Sequence, residues 1–574
     1  MPQGCDTPTR FWLILVALAL GLAVGAWAGH HLPWGAWART DSVAYIEAAR
    51  HIAQGKGVRV YSDQGDLVWM SHFPPFYPFT LSLWMKGGLV WHQATRWNSA
   101  LVFGLLISGH FLLFAFVTRR VLEGLVGALW LTFLPPLVMY LAGAMSEGWF
   151  YVWVLATVFG WWCAVYHRSP RAAFWAGAAA GLAVLTRYAG LFLLGGVVFF
   201  LLLVRPWRRA ARLSGAFLAP FFLLYGAWQA LMRWHGVGLR YRFPGPAVWW
   251  QEAVRFLRGW PDTVWQEWLW FRGPELQALP PWLYRETSYL VLLLPLVVGL
   301  WAGWHWRKAT QAPTSWGELP SVGWAPWQPS MEARLALWSF LLSWAGLGYL
   351  LFAFLAHLFR NPPAALLGRV LSPFLLLSGG GVLSWGLWLL AQVEKRLATR
   401  RVRGAWMAAW TLAMMVLFFF AAYVEASDYM KIMRQYGNGY THRQWHHPAF
   451  WAYLQRWPSD VGLVATEALA ARLWAERFVA WPPEALNPSQ AQGPFGSRED
   501  HPLHRAFREG RAALVHLYPA RETWWEARWK EAGGRALDLL LQDLPVCWKG
   551  SLGTVYYQGP RASSLCVDAQ EEGR

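Results

Sequence analysis

Four ionisable residues stand out because they sit at the ends of apolar segments, where charge is costly. Asp41 opens the stretch TDSVAYIEAA, Glu147 lies in AMSEGWF, Arg187 in LTRYAG and Arg369 in GRVLSP. Charges at the rim or centre of a bilayer are functional candidates by default. A partly buried carboxylate can take the proton of an attacking hydroxyl. A guanidinium pairs with phosphate oxygens in bidentate fashion and keeps its charge in apolar surroundings. The chemistry this set suggests is transfer of a group from a phosphate to a hydroxyl. Asp41 is the candidate base, Glu147 the second carboxylate that orients the acceptor or supports Asp41, and Arg187 and Arg369 the candidate phosphate ligands.

Each residue also has a plainer reading. Asp41 would cap a helix running from Ser42 to Gln54, Glu147 would complement the dipole of the helix it opens, and the two arginines would be snorkelling anchors. His72, in the loop His72-Phe73-Pro74-Pro75-Phe76-Tyr77-Pro78, is a further phosphate-binding candidate, because the prolines forbid regular structure and brace a loop. Tyr45, Glu47 and Tyr77 complete the set as pocket candidates, with packing as their alternative role.

The elements that must position these residues are apolar. The chain has 574 residues, of which 56% are hydrophobic and 14% charged, with 45 Trp. Such a composition excludes a soluble enzyme of this size and identifies a polytopic membrane protein, in which Trp favours the interface. A mean hydropathy of +0.24 is modest because a polar C-terminal portion dilutes it. Eleven segments approach membrane-spanning length: 11–28, 98–117, 121–139, 148–166, 172–186, 188–204, 213–231, 287–305, 336–357, 371–391 and 405–424. The first ends in Ala-Trp-Ala, yet reads as an uncleaved span because so many others follow.

The formal charge of +18 would suggest nucleic acid in a soluble chain, but here it follows topology. Lys and Arg are retained in short cytoplasmic loops. With the N-terminus inside, the inner loops hold Arg119 and Arg120, then Arg168 and Arg171, then Arg205 to Arg212, then Arg307, Lys308 and Arg334, and finally Lys395 to Arg403. Loops 29–97 and 232–286 and everything from about 425 then fall outside. All four charged candidates share that outer side, and no nucleic-acid partner is expected.

Two domains are expected. Residues 1–424 form the transmembrane module, and 425–574 a soluble extracytoplasmic α/β domain. In the second, strands are predicted at Val461–Thr466, Phe478–Trp481, Ala513–Tyr518 and from Thr554, with helices at Glu467–Trp474 and Leu537–Leu541, in an order that favours a small, partly parallel sheet. Loop 232–286 contains an aromatic, charged pattern that suggests a helix in the membrane interface. Cys5, Cys163, Cys547 and Cys566 make no zinc pattern. Cys547 and Cys566 are either bonded or two free thiols. No cofactor or metal is called for.

The ordered motifs TDSVAYIEAA, HFPPFYP, MSEGWF, GLAVLTRYAGL and GRVLSPFLLL resemble those of the bacterial polyprenyl-phosphate-dependent glycosyltransferases of family 39 type. That family belongs to the GT-C superfamily, with protein O-mannosyltransferases and aminoarabinose transferases. The resemblance implies a GT-C-type, all-α polytopic fold of about 11 transmembrane helices in the bacterial plasma membrane. It also implies an inverting transfer of one sugar, mannose, glucose or arabinose-type, from a polyprenyl-phosphate donor to a lipid, glycan or protein acceptor at the outer face. Asp41, Glu147 and Arg187 match the family's first-loop aspartate, second-loop acid and Leu-Thr-Arg arginine, and Arg369 stands in its Arg-Tyr-x-x-Pro-like element. Ser42 replaces the Glu that follows the aspartate in many relatives, and Val370 replaces the aromatic. The competing expectations are a transporter or flippase and a non-enzymatic envelope-assembly protein.

Overall fold

In a computed structural model the protein is a polytopic helical membrane protein with a small C-terminal sheet. The structure describes residues 7–62, 65–204, 206–237, part of 251–260, 281–311, 330–359, 368–396, scattered positions over 402–416, and 423–465, 467–479, 509–517, 545–549, 551–559 and 561–566. Two compact units divide them. The first takes residues 1–33, 71–80 and 94–435, and the second 34–70, 81–93 and 436–574.

The helices run α1 (Thr7–His31), α2 (Thr40–Ala53), α3 (Phe76–Lys86), α4 (Trp91–Thr118), α5 (Val121–Thr132), α6 (Pro135–Leu141), α7 (Glu147–His167), α8 (Pro170–Thr186), α9 (Gly196–Leu203), α10 (Trp207–Trp234), α11 (Pro281–Gln311), α12 (Met331–Phe359), α13 (Gly368–Arg396), α14 (Val424–Tyr436), α15 (Pro448–Gln455) and α16 (Ala468–Ala475). Among the described residues six stretches are long and apolar enough to cross a membrane: Phe11–His31, Trp91–Thr118, Glu147–His167, Trp207–Trp234, Met331–Ala356 and Leu371–Val393. A helix of some 20 residues covers the roughly 30 Å of hydrocarbon.

Other apolar segments take different shapes. Segment 121–139 is a pair, α5 and α6, bent by 68°. Pro135 and Pro136 donate no amide bond to the preceding turn, so the helix restarts there. Segment 172–186 is the 17-residue α8, and segment 188–204 splits into a 3-10 helix, Tyr188–Gly195, followed by α9. Segment 287–305 lies within the continuous α11. Most of 405–424 and of the expected interfacial helix in 232–286 lies outside the described residues.

Small residues let neighbouring helices approach within the first unit. A Cβ on Gly381 of α13 would land on the Ser343 hydroxyl of α12, while Ser339 donates to the Gly381 carbonyl at 2.8 Å. Membrane helices associate through this kind of close packing and interhelical hydrogen bonding.

The second unit joins the loop between α1 and α4 to the C-terminal region. Its sheet has the order β3 (Gly462–Ala465), β4 (Ala512–Leu517), β6 (Gly553–Tyr556), β5 (Val546–Lys549); β3 and β4 run parallel and the other pairs antiparallel. Aromatic rings fill its core, with Phe450 against Trp548 at 4.6 Å and Trp457 against Tyr557 at 5.0 Å between centroids. A hairpin of β1 (Arg59–Tyr61) and β2 (Leu67–Trp69) belongs to the same unit.

Of the strand expected at Phe478–Trp481, Phe478 and Val479 are irregular among the described residues, and the remainder lies outside them. The Val479 carbonyl accepts from Arg472 Nε at 2.7 Å, and the Phe478 ring packs on the Arg472 guanidinium and on Tyr61. Strand β5 was not expected, its apolar run being too short to register. The helix expected at Leu537–Leu541 lies outside the described residues. Cys547 and Cys566 form a disulfide.

Candidate functional site

Helix α7 begins at Glu147, with Ser146 as its N-cap position. The carboxylate therefore stands in the first turn, where the exposed amide dipoles favour negative charge. Glu147 is only 1% exposed. Its partner comes from a second helix end. Helix α8 stops at Thr186 and Arg187 adopts an extended conformation before the 3-10 helix starts. Gly190 makes this break possible, because a Cβ there would meet the Val184 amide nitrogen at 2.6 Å. The chain thus doubles back tightly and delivers Arg187 to α7. Arg187 Nη1 donates to Glu147 Oε1 at 2.6 Å and to the Ser146 hydroxyl at 3.3 Å.

Three further faces of α7 are tied to neighbours in the same unit. Trp149 Nε1 donates to Asn98 Oδ1 at 3.1 Å. The loop expected over His72–Pro78 ends at Pro75, because Pro78 falls in the first turn of α3, where its missing amide costs no helical bond; the Phe76 ring, at the start of α3, packs against Trp149 and Trp153 at 5.5 and 5.4 Å. One turn beyond Glu147, the buried Tyr151 hydroxyl hydrogen-bonds the Ser372 hydroxyl. Ser372 lies one turn after Arg369 on α13, so this bond brings the first turns of α13 to α7. The side chain of Arg369 itself lies outside the described residues.

Tyr188, next to Arg187, links two more elements. It accepts from Trp228 Nε1 of α10 at 3.2 Å, and its hydroxyl makes a long 3.4 Å bond to the Ser71 carbonyl. The residue after Ser71 is His72, which is exposed. Tyr77 is buried, and its carbonyl accepts from the Thr80 hydroxyl at 2.8 Å.

Asp41, Tyr45 and Glu47 belong to the second unit, on α2. Helix α2 starts at Thr40 with Arg39 as N-cap, and the Ser42 hydroxyl accepts from the Arg39 amide at 3.0 Å. Because α2 starts at Thr40, Asp41 is not its cap residue but stands half-buried in the first turn. Tyr45 is fully buried. Glu47 is buried and accepts from the Tyr61 amide at 3.4 Å. Burial pushes its carboxyl above the usual glutamate range, and the positive charges of Arg472 and Arg50 oppose that shift without cancelling it.

Of the residues expected from sequence, the structure therefore brings Glu147 and Arg187 into direct contact and ties the backbone beside His72 to the residue beside Arg187. Sequence reasoning missed Ser146, Tyr151, Tyr188, Trp228 and Ser372. Ser146 and Tyr188 adjoin named candidates, and Tyr151 is one helical turn from Glu147, so adjacency was the available signal. Trp228 and Ser372 carried none. Chemically, the first unit holds a guanidinium anchored through one nitrogen, Nη1, on a buried carboxylate and a hydroxyl; guanidinium groups pair with oxyanions.

No protein-family model matches the chain, and no curated protein sequence does. Solved structures similar to it include ArnT from Cupriavidus metallidurans bound to undecaprenyl phosphate, at 14% identity and a TM-score of 0.45 over 97% of this chain and 99% of that one. They also include the Archaeoglobus fulgidus oligosaccharyltransferase in complex with zinc and sulfate, at 12% identity and a TM-score of 0.49 over 95% of this chain and 73% of that one.

Proposed function

We propose that the chain is an integral membrane glycosyltransferase that moves one sugar from a polyprenyl-phosphate donor to an acceptor hydroxyl on the extracytoplasmic face. The observation that carries this reading is the buried Glu147–Arg187 pair with Ser146, built where two helices end. A guanidinium anchored at this place suits the phosphate of a lipid-linked donor, whose prenyl chain stays in the bilayer. The motif order that resembles the polyprenyl-phosphate glycosyltransferases supports the same donor.

In the reaction, Asp41 takes the proton of the acceptor hydroxyl as its oxygen attacks the anomeric carbon. The bond from that carbon to the phosphate oxygen breaks on the opposite side, and configuration inverts. The phosphate leaves with its bonding electrons, and Arg187 stabilises the charge that develops there. Glu147 anchors the Arg187 guanidinium through Nη1, and Arg369 and His72 are further phosphate ligands. The Lys and Arg of the short loops support a cytoplasmic N-terminus. The Cys547–Cys566 bond favours an oxidising compartment for the C-terminal region.

The test is the protein's own membranes, with and without the gene, analysed by mass spectrometry of lipids and surface glycans. The expected result is a sugar missing from one acceptor and its polyprenyl-phosphate donor accumulating. Asp41→Asn should lower transfer on the order of 10²–10⁴-fold. Movement of an intact lipid-linked sugar across the bilayer, with the sugar–phosphate bond unbroken, would overturn the reading in favour of a transporter.

A further inference from the structure

Helix α2 is tied at both ends to the C-terminal region within the second unit: at one end directly to a short helix, α16 (Ala468–Ala475), and at the other to Gly439 and Tyr440, which α16 holds in turn. At its C-terminal end, Arg50 reaches the last turn of α16. Nη2 donates to the Leu473 carbonyl at 2.5 Å and to Glu476 Oε1 at 3.0 Å, and Nη1 makes a longer bond to the Arg472 carbonyl at 3.4 Å. The last carbonyls of a helix lack internal partners and attract a cation. One guanidinium therefore caps α16 and anchors α2.

At the other end, the residue two before α2 forms a bridge with the C-terminal chain. Ala38 pairs in parallel with Gly439, and its carbonyl accepts from the Tyr440 amide at 2.9 Å. Gly439 has φ +57, and a Cβ on it would land on that same carbonyl oxygen. Only glycine fits both conditions. The Tyr440 carbonyl in turn accepts from Trp474 Nε1 of α16 at 2.9 Å, and the Gly439 carbonyl from Trp445 Nε1 at 3.1 Å. Between the two anchors, Glu47 is buried beside the charge of Arg472.

Asp41 lies three residues after the first anchor and nine before the second. A helix held at both ends has little freedom to slide or rotate, so a carboxylate in its first turn is held too. We infer that residues 438–441 and α16 form a positioning clamp for Asp41. The C-terminal region then serves the transfer by fixing α2, with Arg50 and Gly439 as positioning residues that touch no substrate. This inference rests on the reading of Asp41 as the base.

The test uses the full-length protein in nanodiscs and three variants, Arg50→Met, Gly439→Ala and the exposed Glu476→Gln, with Arg50→Lys as the conservative rescue. Turnover is read as undecaprenyl phosphate released from undecaprenyl-phosphate-linked mannose, glucose or arabinose-type sugar, whichever the wild-type protein consumes in its own membranes. It is normalised to the fraction of protein that binds undecaprenyl phosphate, so misfolded molecules do not count. Misplacement of about 1 Å costs roughly 10²-fold, so Arg50→Met and Gly439→Ala should lower normalised kcat by about 10- to 100-fold. Glu476→Gln should have a smaller effect, and Arg50→Lys should recover part of the loss. Hydrogen exchange should quicken in α2 and not in α7.

Normalised turnover within about twofold of wild type in Arg50→Met and Glu476→Gln, alongside an inactive Asp41→Asn, would overturn the clamp and leave the base in place. If Gly439→Ala fails to fold, the Arg50 and Glu476 variants decide. Wild-type turnover in Asp41→Asn would instead remove the base, and the clamp's purpose with it.

Discussion

Arg187 Nη1 lies 2.6 Å from Glu147 Oε1, and the carboxylate is all but excluded from solvent. Forty residues apart in sequence, the two meet because one helix begins where another is interrupted. Removing one partner of a buried pair leaves the other's charge uncompensated, at about 3–5 kcal/mol. Arg187→Ala should therefore lower thermal stability sharply and weaken binding of undecaprenyl phosphate. The double variant Arg187→Met/Glu147→Leu should regain much of the stability and none of the binding. Melting curves and lipid-binding isotherms in the same detergent check both. Equal stability of the single and double variants would sink the idea of a coupled pair.

The Tyr151–Ser372 bond should matter to the same site through the start of α13. Tyr151→Phe leaves a buried hydroxyl on Ser372 without this partner, at about 1–3 kcal/mol. Tyr151→Phe/Ser372→Ala removes both groups and should be closer to neutral. Thermal melts of the four species give the coupling directly. Additive losses would show that the two hydroxyls act independently.

Glu47 makes the second unit sensitive to pH. Its carboxyl titrates above the unfolded value of 4.5 because of burial. The folded state therefore holds its proton over a range where the unfolded chain has released it. Stability from this group is present below pH 4.5 and is lost as pH rises through the folded value. Glu47→Gln cannot ionise and should show a flatter melting temperature above pH 4.5 than the wild-type protein. Parallel pH profiles for the two would show that Glu47 titrates normally.

The disulfide closes a loop of 19 residues around β5 and β6. Loop-closure entropy for that length predicts about 3 kcal/mol. Cys547→Ala/Cys566→Ala should melt earlier than wild type and lose its sensitivity to reductant. No change in melting under reducing conditions would show that the bond adds nothing to stability.

Much of this protein could be read from local sequence. Apolar runs of membrane length mark where helices cross, because a bilayer core admits no unsatisfied backbone. Short β-branched and aromatic runs located β3, β4 and β6 to within about a residue or two. The charged residues at helix ends were also visible, since charge is rare in such company. Three-dimensional packing decided the rest. Prolines divided one apolar segment into α5 and α6, and another, 188–204, folded as a 3-10 helix followed by α9. The Phe478 ring packs on the Arg472 guanidinium. The joining of Glu147 to Arg187, of Tyr151 to Ser372, of Arg50 to α16 and of Cys547 to Cys566 follows no local rule. Each contact spans tens of residues or more except the disulfide, and even there the sequence allowed two free thiols. Pairings of this kind depend on which surfaces close packing brings together, and that is a property of the whole fold.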